Sequence, residues 1–382
     1  MKLLLASILL FVAVPNSALL AQESDSLDMM IGQMIMVGLN NFDDPDNREP
    51  VLKHLREGKL GGILLFEKDL SQDNTKANLA QLVNSLQQAS AIPLFMAIDE
   101  EGGKVNRLKP KYGFPSTLSA SYLGQLNDLD STYYYGASTA QNLSNFGFNV
   151  NFAPTVDVNI NAENPVIGKM ERSYSPNHTV VLQHAARVIA SHDEFSVATA
   201  LKHFPGHGSS AADTHLGVAD VSDSWLIEEL FPYKALVDSG MVRAVMSAHV
   251  VNRVLDGEML PASLSKPMID GVLRKLIGFD GVVFSDDMHM GAISKHYGLE
   301  EAVVLAVNAG LDVLVFSNNV FDDERTSGIQ VHQLIKDKVL AGEIPIARIM
   351  ESYIRITKLK ESLGLMEADF KQSLSERLKK HF

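Results

Sequence analysis

Gly278-Phe279-Asp280-Gly281-Val282-Val283-Phe284-Ser285-Asp286-Asp287-Met288 is a short apolar run set between a glycine turn and a pair of carboxylates. Its centre, apolar on both faces, is the pattern of a parallel strand buried on both sides. Similar runs recur outward from it, at residues 33–38, 61–66, 93–98, 149–156, 197–202, 242–248, 281–285 and 311–316. Between them lie amphipathic stretches. Residues 71–90 carry Leu79, Leu82, Val83 and Leu86 at helical spacing, and 177–192, 223–238, 266–277 and 299–308 read the same way. Helical patterns near 329–341 and 346–363 follow the last strand, and a polar tail ends the chain. Strand and helix alternating eight times predict an α/β fold, a TIM-type (β/α)₈ barrel with extra C-terminal helices. A doubly wound open sheet is the alternative.

No low-complexity linker or shift in composition divides the chain, so residues 22–382 read as a single domain. The first 21 residues differ. A positive start at Met1-Lys2, an apolar run over 3–14, a break at Pro15-Asn16-Ser17 and small residues at Ala18 and Ala21 form the layout of a signal peptide. The apolar run is shorter than the roughly 20 residues of a membrane span. The expected location is therefore periplasmic or secreted, with no stable membrane insertion after cleavage.

With 46% hydrophobic residues the chain can build an ordinary globular core. Its net charge of −13 and lack of long basic runs argue against nucleic acid as a partner. With no cysteine, disulfides and thiol catalysis are excluded. A neutral ligand such as a sugar suits an acidic protein. Oligomeric state is not legible.

In a barrel, chemistry gathers where strands end at their C-terminal side. Here five runs end in polar groups: Asp99-Glu100-Glu101-Gly102-Gly103, Asp157, Lys202-His203, His249 and Asp286-Asp287. Any one acidic residue could be a helix cap, but five strand ends together point to a site. Asp286, on a rigid strand, is placed to act as a covalent nucleophile toward an anomeric carbon. Asp287 could instead cap the next helix.

In Lys202-His203-Phe204-Pro205-Gly206-His207-Gly208, the proline and glycines forbid a regular helix, so His203 and His207 are not a helical metal pair. Downstream, Asp213-Thr214-His215 places a carboxylate two residues from an imidazole. An extended backbone would put both on one face, making a tunable acid/base. In Asp99-Glu100-Glu101-Gly102-Gly103-Lys104-Val105-Asn106-Arg107, Asp99 could accept sugar hydroxyls, and Arg107 could donate to oxygens or fix Asp99. Arg172 lies in a polar stretch, 157–176, too rich in Asn, Pro and Gly to be core, and long loops of that kind are usually functional.

Taken together and in order, D-E-E-G-G-K-V-N-R, V-I-G…R-S-Y, K-H-F-P-G-H-G…D-T-H and F-D-G-V-V-F-S-D-D resemble glycoside hydrolase family 3, in particular its β-N-acetylglucosaminidase branch. The resemblance runs from about residue 30 to 360. It implies Asp286 as nucleophile, His215 as general acid/base and Asp213 as its partner. It further implies that Asp99, Arg107, Arg172, Lys202 and His203 hold the sugar, and that no metal or organic cofactor is needed. Glu100 stands where the family usually has glutamine, and Lys104 where it has arginine.

The activity so implied is retaining release of terminal β-linked N-acetylglucosamine or N-acetylhexosamine from cell-wall or other glycans. β-Glucosidase, β-xylosidase or phosphorylase activity in the same family are the alternatives. A metal-dependent barrel hydrolase and a sugar-binding protein without catalysis are the rivals from other classes.

Overall fold

The computed structural model describes residues 26–319 and 328–366. The expected signal peptide, residues 1–21, and the polar tail lie outside them.

The open-sheet alternative is overturned, because eight parallel strands close into a barrel. They are β1 (Ile35–Gly38), β2 (Gly62–Leu65), β3 (Phe95–Ile98), β4 (Val150–Asn151), β5 (Ala198–Phe204), β6 (Ala244–Ser247), β7 (Val282–Asp287) and β8 (Val313–Phe316). Each pairs with its neighbour in sequence, and β8 pairs with β1. The strands are apolar on both faces because one face looks into a filled barrel and the other onto helices. Phe284 of β7 sits edge-on to Phe95 of β3 at 5.9 Å and to Phe152 beyond β4 at 5.3 Å, so aromatic rings meet across the interior. That is a packed core, not a pore.

Every expected strand is present, yet β4 is shorter than residues 149–156. Pro154 has no N–H to give a ladder, which breaks off there and resumes as a single parallel bridge between Thr155 and Lys202 of β5. The helices at Thr75–Ala89, His178–Asp193, Leu299–Ala309, Gly328–Leu340 and Ile346–Ser362 match the expected positions closely. The stretch 223–238 is a 3₁₀ turn, Ile227–Leu230, running into the helix Phe231–Asp238. Pro267–Ile277 is wound as a π-helix.

Two ladders slip in register at their C-terminal ends, β5 against β6 between Leu201 and Phe204, and β7 against β8 between Val313 and Val315. Such irregularities re-aim side chains at strand ends. They fall where Lys202, His203 and Asp286 leave the barrel. Beyond that mouth a short parallel pair, Ala219–Asp220 with Val250–Val251, braces the β5 and β6 loops against each other.

Candidate active site

The Asp99-Glu100-Glu101 corner at the end of β3 meets the end of β5. Lys202, 1% exposed, donates to Asp99 Oδ1 at 2.8 Å and lies 2.5 Å from Glu101 Oε1. Arg172 forks onto the same carboxylate, Nε to Oε2 at 2.8 Å and one terminal nitrogen to Oε1 at 2.7 Å. The Thr155 hydroxyl donates to Oε2 at 3.1 Å. Burial works against a charge on Glu101, but Arg172 and Lys202 outweigh it and hold the carboxyl well below its usual range. Arg107 stands 3.6 Å from Asp99 Oδ2 with its guanidinium over the Phe66 ring.

His203 is fixed from both sides. Its Nδ1 is 2.6 Å from Asp157 Oδ2, and its Nε2 is 3.0 Å from an Arg172 nitrogen. A guanidinium can only donate, so Nε2 accepts and Nδ1–H donates to Asp157. Both ring nitrogens are thus engaged within the protein, with no lone pair left for a metal. Among the described residues no group of three or more His, Asp or Glu is arranged to hold one. The five sugar-holding candidates, Asp99, Arg107, Arg172, Lys202 and His203, form one cluster, and the carboxylates of Glu101 and Asp157 within it offset the excess of positive charge. That arrangement suits hydrogen bonding to a neutral ligand.

The two aspartates ending β7 part company. Asp287 Oδ1 accepts the N–H groups of Ser317 at 2.9 Å and His289 at 3.1 Å, and its Oδ2 accepts the Ser317 hydroxyl. It stitches β7 to β8 and caps the turn that follows. Asp286 accepts its neighbour's N–H at 2.8 Å and has no other hydrogen bond among the described residues. Burial raises its carboxyl, but the imidazoles of His203, His249 and His215 outweigh that and bring it down to about 2. An ionised, half-buried carboxylate with open lone pairs is a competent nucleophile.

His215 Nδ1 is 2.7 Å from Asp213 Oδ1, and the His215 N–H donates to the same oxygen at 2.8 Å. The pair is joined, but not by the extended backbone expected. The Leu216 N–H returns to Asp213 O at 3.0 Å, closing a turn around an Asp side chain that binds its own backbone two residues on. Gly291 N–H donates to His215 O and Ala292 N–H to Thr214 O, both at 3.1 Å. A Cβ on Gly291 would lie 2.7 Å from His215 O, so only glycine permits that approach. The loop is thereby tied to the segment that follows Asp286. The His215 side chain is 64% exposed at the mouth.

Glu101, Asp157, His249 and Glu229 were given no role from sequence. Asp157 accepts the backbone N–H groups of His203 and His207, at 3.2 and 2.7 Å. His249 Nε2 lies 3.0 Å from Asp287 O, and Nδ1 lies 2.6 Å from the Ser263 hydroxyl. Both were visible as polar strand ends. Glu229, fully buried, accepts the Gly208 N–H at 3.0 Å, and burial raises its carboxyl to about 7. In a helix-like stretch it carried no signal.

Fold and site define a (β/α)₈ barrel with a carboxylate and a histidine–aspartate pair at the mouth formed by its strand C-termini. Residues 26–359 match the glycosyl hydrolase family 3 N terminal domain, and the chain belongs to that family. It is 33% identical over 268 residues to the beta-hexosaminidase of Tolumonas auensis, covering 69% of this chain and 78% of that protein. It is 33% identical over 329 residues to Beta-hexosaminidase A of Pseudoalteromonas piscicida, which covers 80% of this chain, while the chain spans only 54% of that relative's length. The solved family 3 β-N-acetylglucosaminidase of Paenibacillus sp. str. FPU-7 superposes with a TM-score of 0.80 at 32% identity, over 92% of this chain and 68% of that one. The chain is thus similar to glycosidases of the β-N-acetylhexosaminidase type.

Proposed function

We propose that this protein is a retaining β-N-acetylhexosaminidase acting through a covalent aspartyl intermediate. The carrying observation is the division of labour at the end of β7, where Asp287 is consumed by structure and Asp286 is left ionised and free. Asp286 attacks the anomeric carbon while His215 donates a proton to the departing oxygen. The glycosyl–Asp286 ester then breaks as water attacks the same carbon and His215 takes up its proton. Asp213 orients the imidazole and favours its protonated form. Asp99, Arg107, Arg172, Lys202 and His203 bind the sugar's polar groups.

The substrate is a terminal β-linked N-acetylhexosaminide of a cell-wall or other glycan, and no metal or organic cofactor takes part. We read residues 22–382 as one catalytic domain. Residues 1–21 support export to the periplasm or beyond; among the described residues no helix is long and apolar enough to cross a membrane.

The test is a panel of nitrophenyl β-glycosides: N-acetylglucosaminide, glucoside and xyloside, each with and without phosphate and with a chelator. The expected result is turnover of the N-acetylglucosaminide, unaffected by chelator and releasing free sugar. Preference for the glucoside or xyloside, a sugar phosphate product, or activity lost to chelator and restored by metal would each overturn this reading.

A further inference from the structure

The loop that carries the Asp213–His215 pair has a fixed base. Asp157 holds the N–H groups of His203 and His207, and Glu229 holds that of Gly208. Trp225 Nε1 donates to Pro205 O at 3.1 Å, and Asn164 Nδ2 to His207 O at 2.7 Å. Between that base and the pair, Asn161 Nδ2 donates to Ser210 O at 3.0 Å and the Ser210 hydroxyl closes a local turn with Ala212, while Ala211 and Ala212 themselves are exposed. Among the described residues, one hydrogen-bonding side-chain contact joins the base directly to the pair's turn. His207, 2% exposed, places Nε2 3.3 Å from the hydroxyl of Thr214, itself 2% exposed.

Thr214 is the middle residue of Asp213-Thr214-His215. It points inward while its neighbours reach the mouth, and its own carbonyl is held by the Ala292 N–H. The His207 ring has no partner at Nδ1 among the described residues. As core filling, a half-satisfied imidazole is costlier than an apolar ring, so the Nε2 contact is what the imidazole adds. Burial, with the neighbouring His203, lowers its pKa to about 4, so the ring stays neutral at ordinary pH.

We propose that His207 and Thr214 form a buried strut that positions the His215 acid/base over Asp286. Neither touches the substrate. Asp157 fixes His207 in the barrel, His207 fixes Thr214, and Thr214 sets the height of the turn that presents His215. The strut rests on the acid/base assignment proposed above.

It is tested on aryl β-N-acetylglucosaminides of graded leaving-group pKa, with wild type, Thr214→Val, Thr214→Ser and His215→Ala, and each variant's melting temperature recorded. Thr214→Val keeps the side chain's shape and removes the hydroxyl. It should lose about 10- to 100-fold in kcat on the poorest leaving group, in line with a displacement of about 1 Å. It should lose little on the best leaving group, and KM should hold. Thr214→Ser should restore the wild-type profile. His207→Phe, which fills the same space, is the second arm and should show the same tilt.

Thr214→Val and His207→Phe proteins that melt like wild type, yet show no loss or an equal loss across the series, would overturn the strut while a steep His215→Ala profile left the acid/base standing. A flat His215→Ala profile would remove both.

Discussion

Glu101 shows how a single residue can be prominent in sequence and still be given no role. Beside Asp99 and Glu100 it was one acid among three, yet it alone is gripped by both Arg172 and Lys202. Glu100, also buried, turns the other way and accepts the N–H groups of Arg107 and Leu108, with burial raising its carboxyl to about 7. Glu101→Gln should therefore cost about 3–5 kcal/mol, the usual result of removing one partner from a buried pair. Chemical denaturation at pH 7 checks this. The pH sign follows from the lowered carboxyl. Its stabilisation is fully present above the unfolded value of about 4.3 and is lost as pH falls toward the folded value. The gap between wild type and variant should narrow below about pH 4. A gap that is constant with pH would mean that Glu101 is not ionised in the fold.

At the scale of elements, the strands were legible because their apolar runs serve two buried faces. The helix Leu129–Asn145 was not, although it packs on His178–Asp193. Its buried face is Thr132, Gly136, Ala140 and Leu143, mostly small or polar residues at a four-residue step, so it shows almost no apolar stripe. Gly136 is needed there, since a Cβ would lie 2.4 Å from Ser191 Oγ. Pro45–Arg56 was missed for a like reason, with Leu55 its one buried residue. The Asp213–His215 pairing was legible but its backbone was not, because an Asp-centred turn and an extended segment both bring residues i and i+2 together.

The C-terminal helix Ile346–Ser362, expected from sequence, closes the barrel base with an unexpected residue. Lys360, 1% exposed, donates to Gln33 Oε1 and to Gly61 O, and lies over the Phe95 ring. Burial lowers its pKa from 10.5 to about 7. Between those values the unfolded chain holds a proton that the folded one does not, so stability rises with pH across that window. Below about pH 7 the full penalty of a buried charge is present. Lys360→Met should remove this component, worth at most about 1.4 kcal/mol per pH unit. Urea unfolding at pH 7 and at pH 9.5 measures it. An equal pH slope in wild type and variant would contradict a depressed lysine.

For the whole molecule, fold and candidate site were legible together because a closed parallel barrel sends every strand's C-terminus to one mouth. Five polar strand ends were enough to locate that mouth, and the structure gathers all of them there. What sequence withheld was the support beneath them, the Asp157, Glu229 and His207 contacts, since buried polar groups of this kind have no periodic signal. The central claim is that this barrel breaks a β-glycosidic bond through an ester on Asp286. The most direct test is to trap that ester with a 5-fluoro N-acetylglucosaminyl donor and weigh the intact protein. The account predicts a mass increase of one fluorosugar per chain, mapped by peptide sequencing to Asp286. It also predicts no adduct in Asp286→Ala, which should melt like wild type and lose several powers of ten in kcat. An adduct on Asp287, or a folded Asp286→Ala protein with near wild-type turnover, would contradict it.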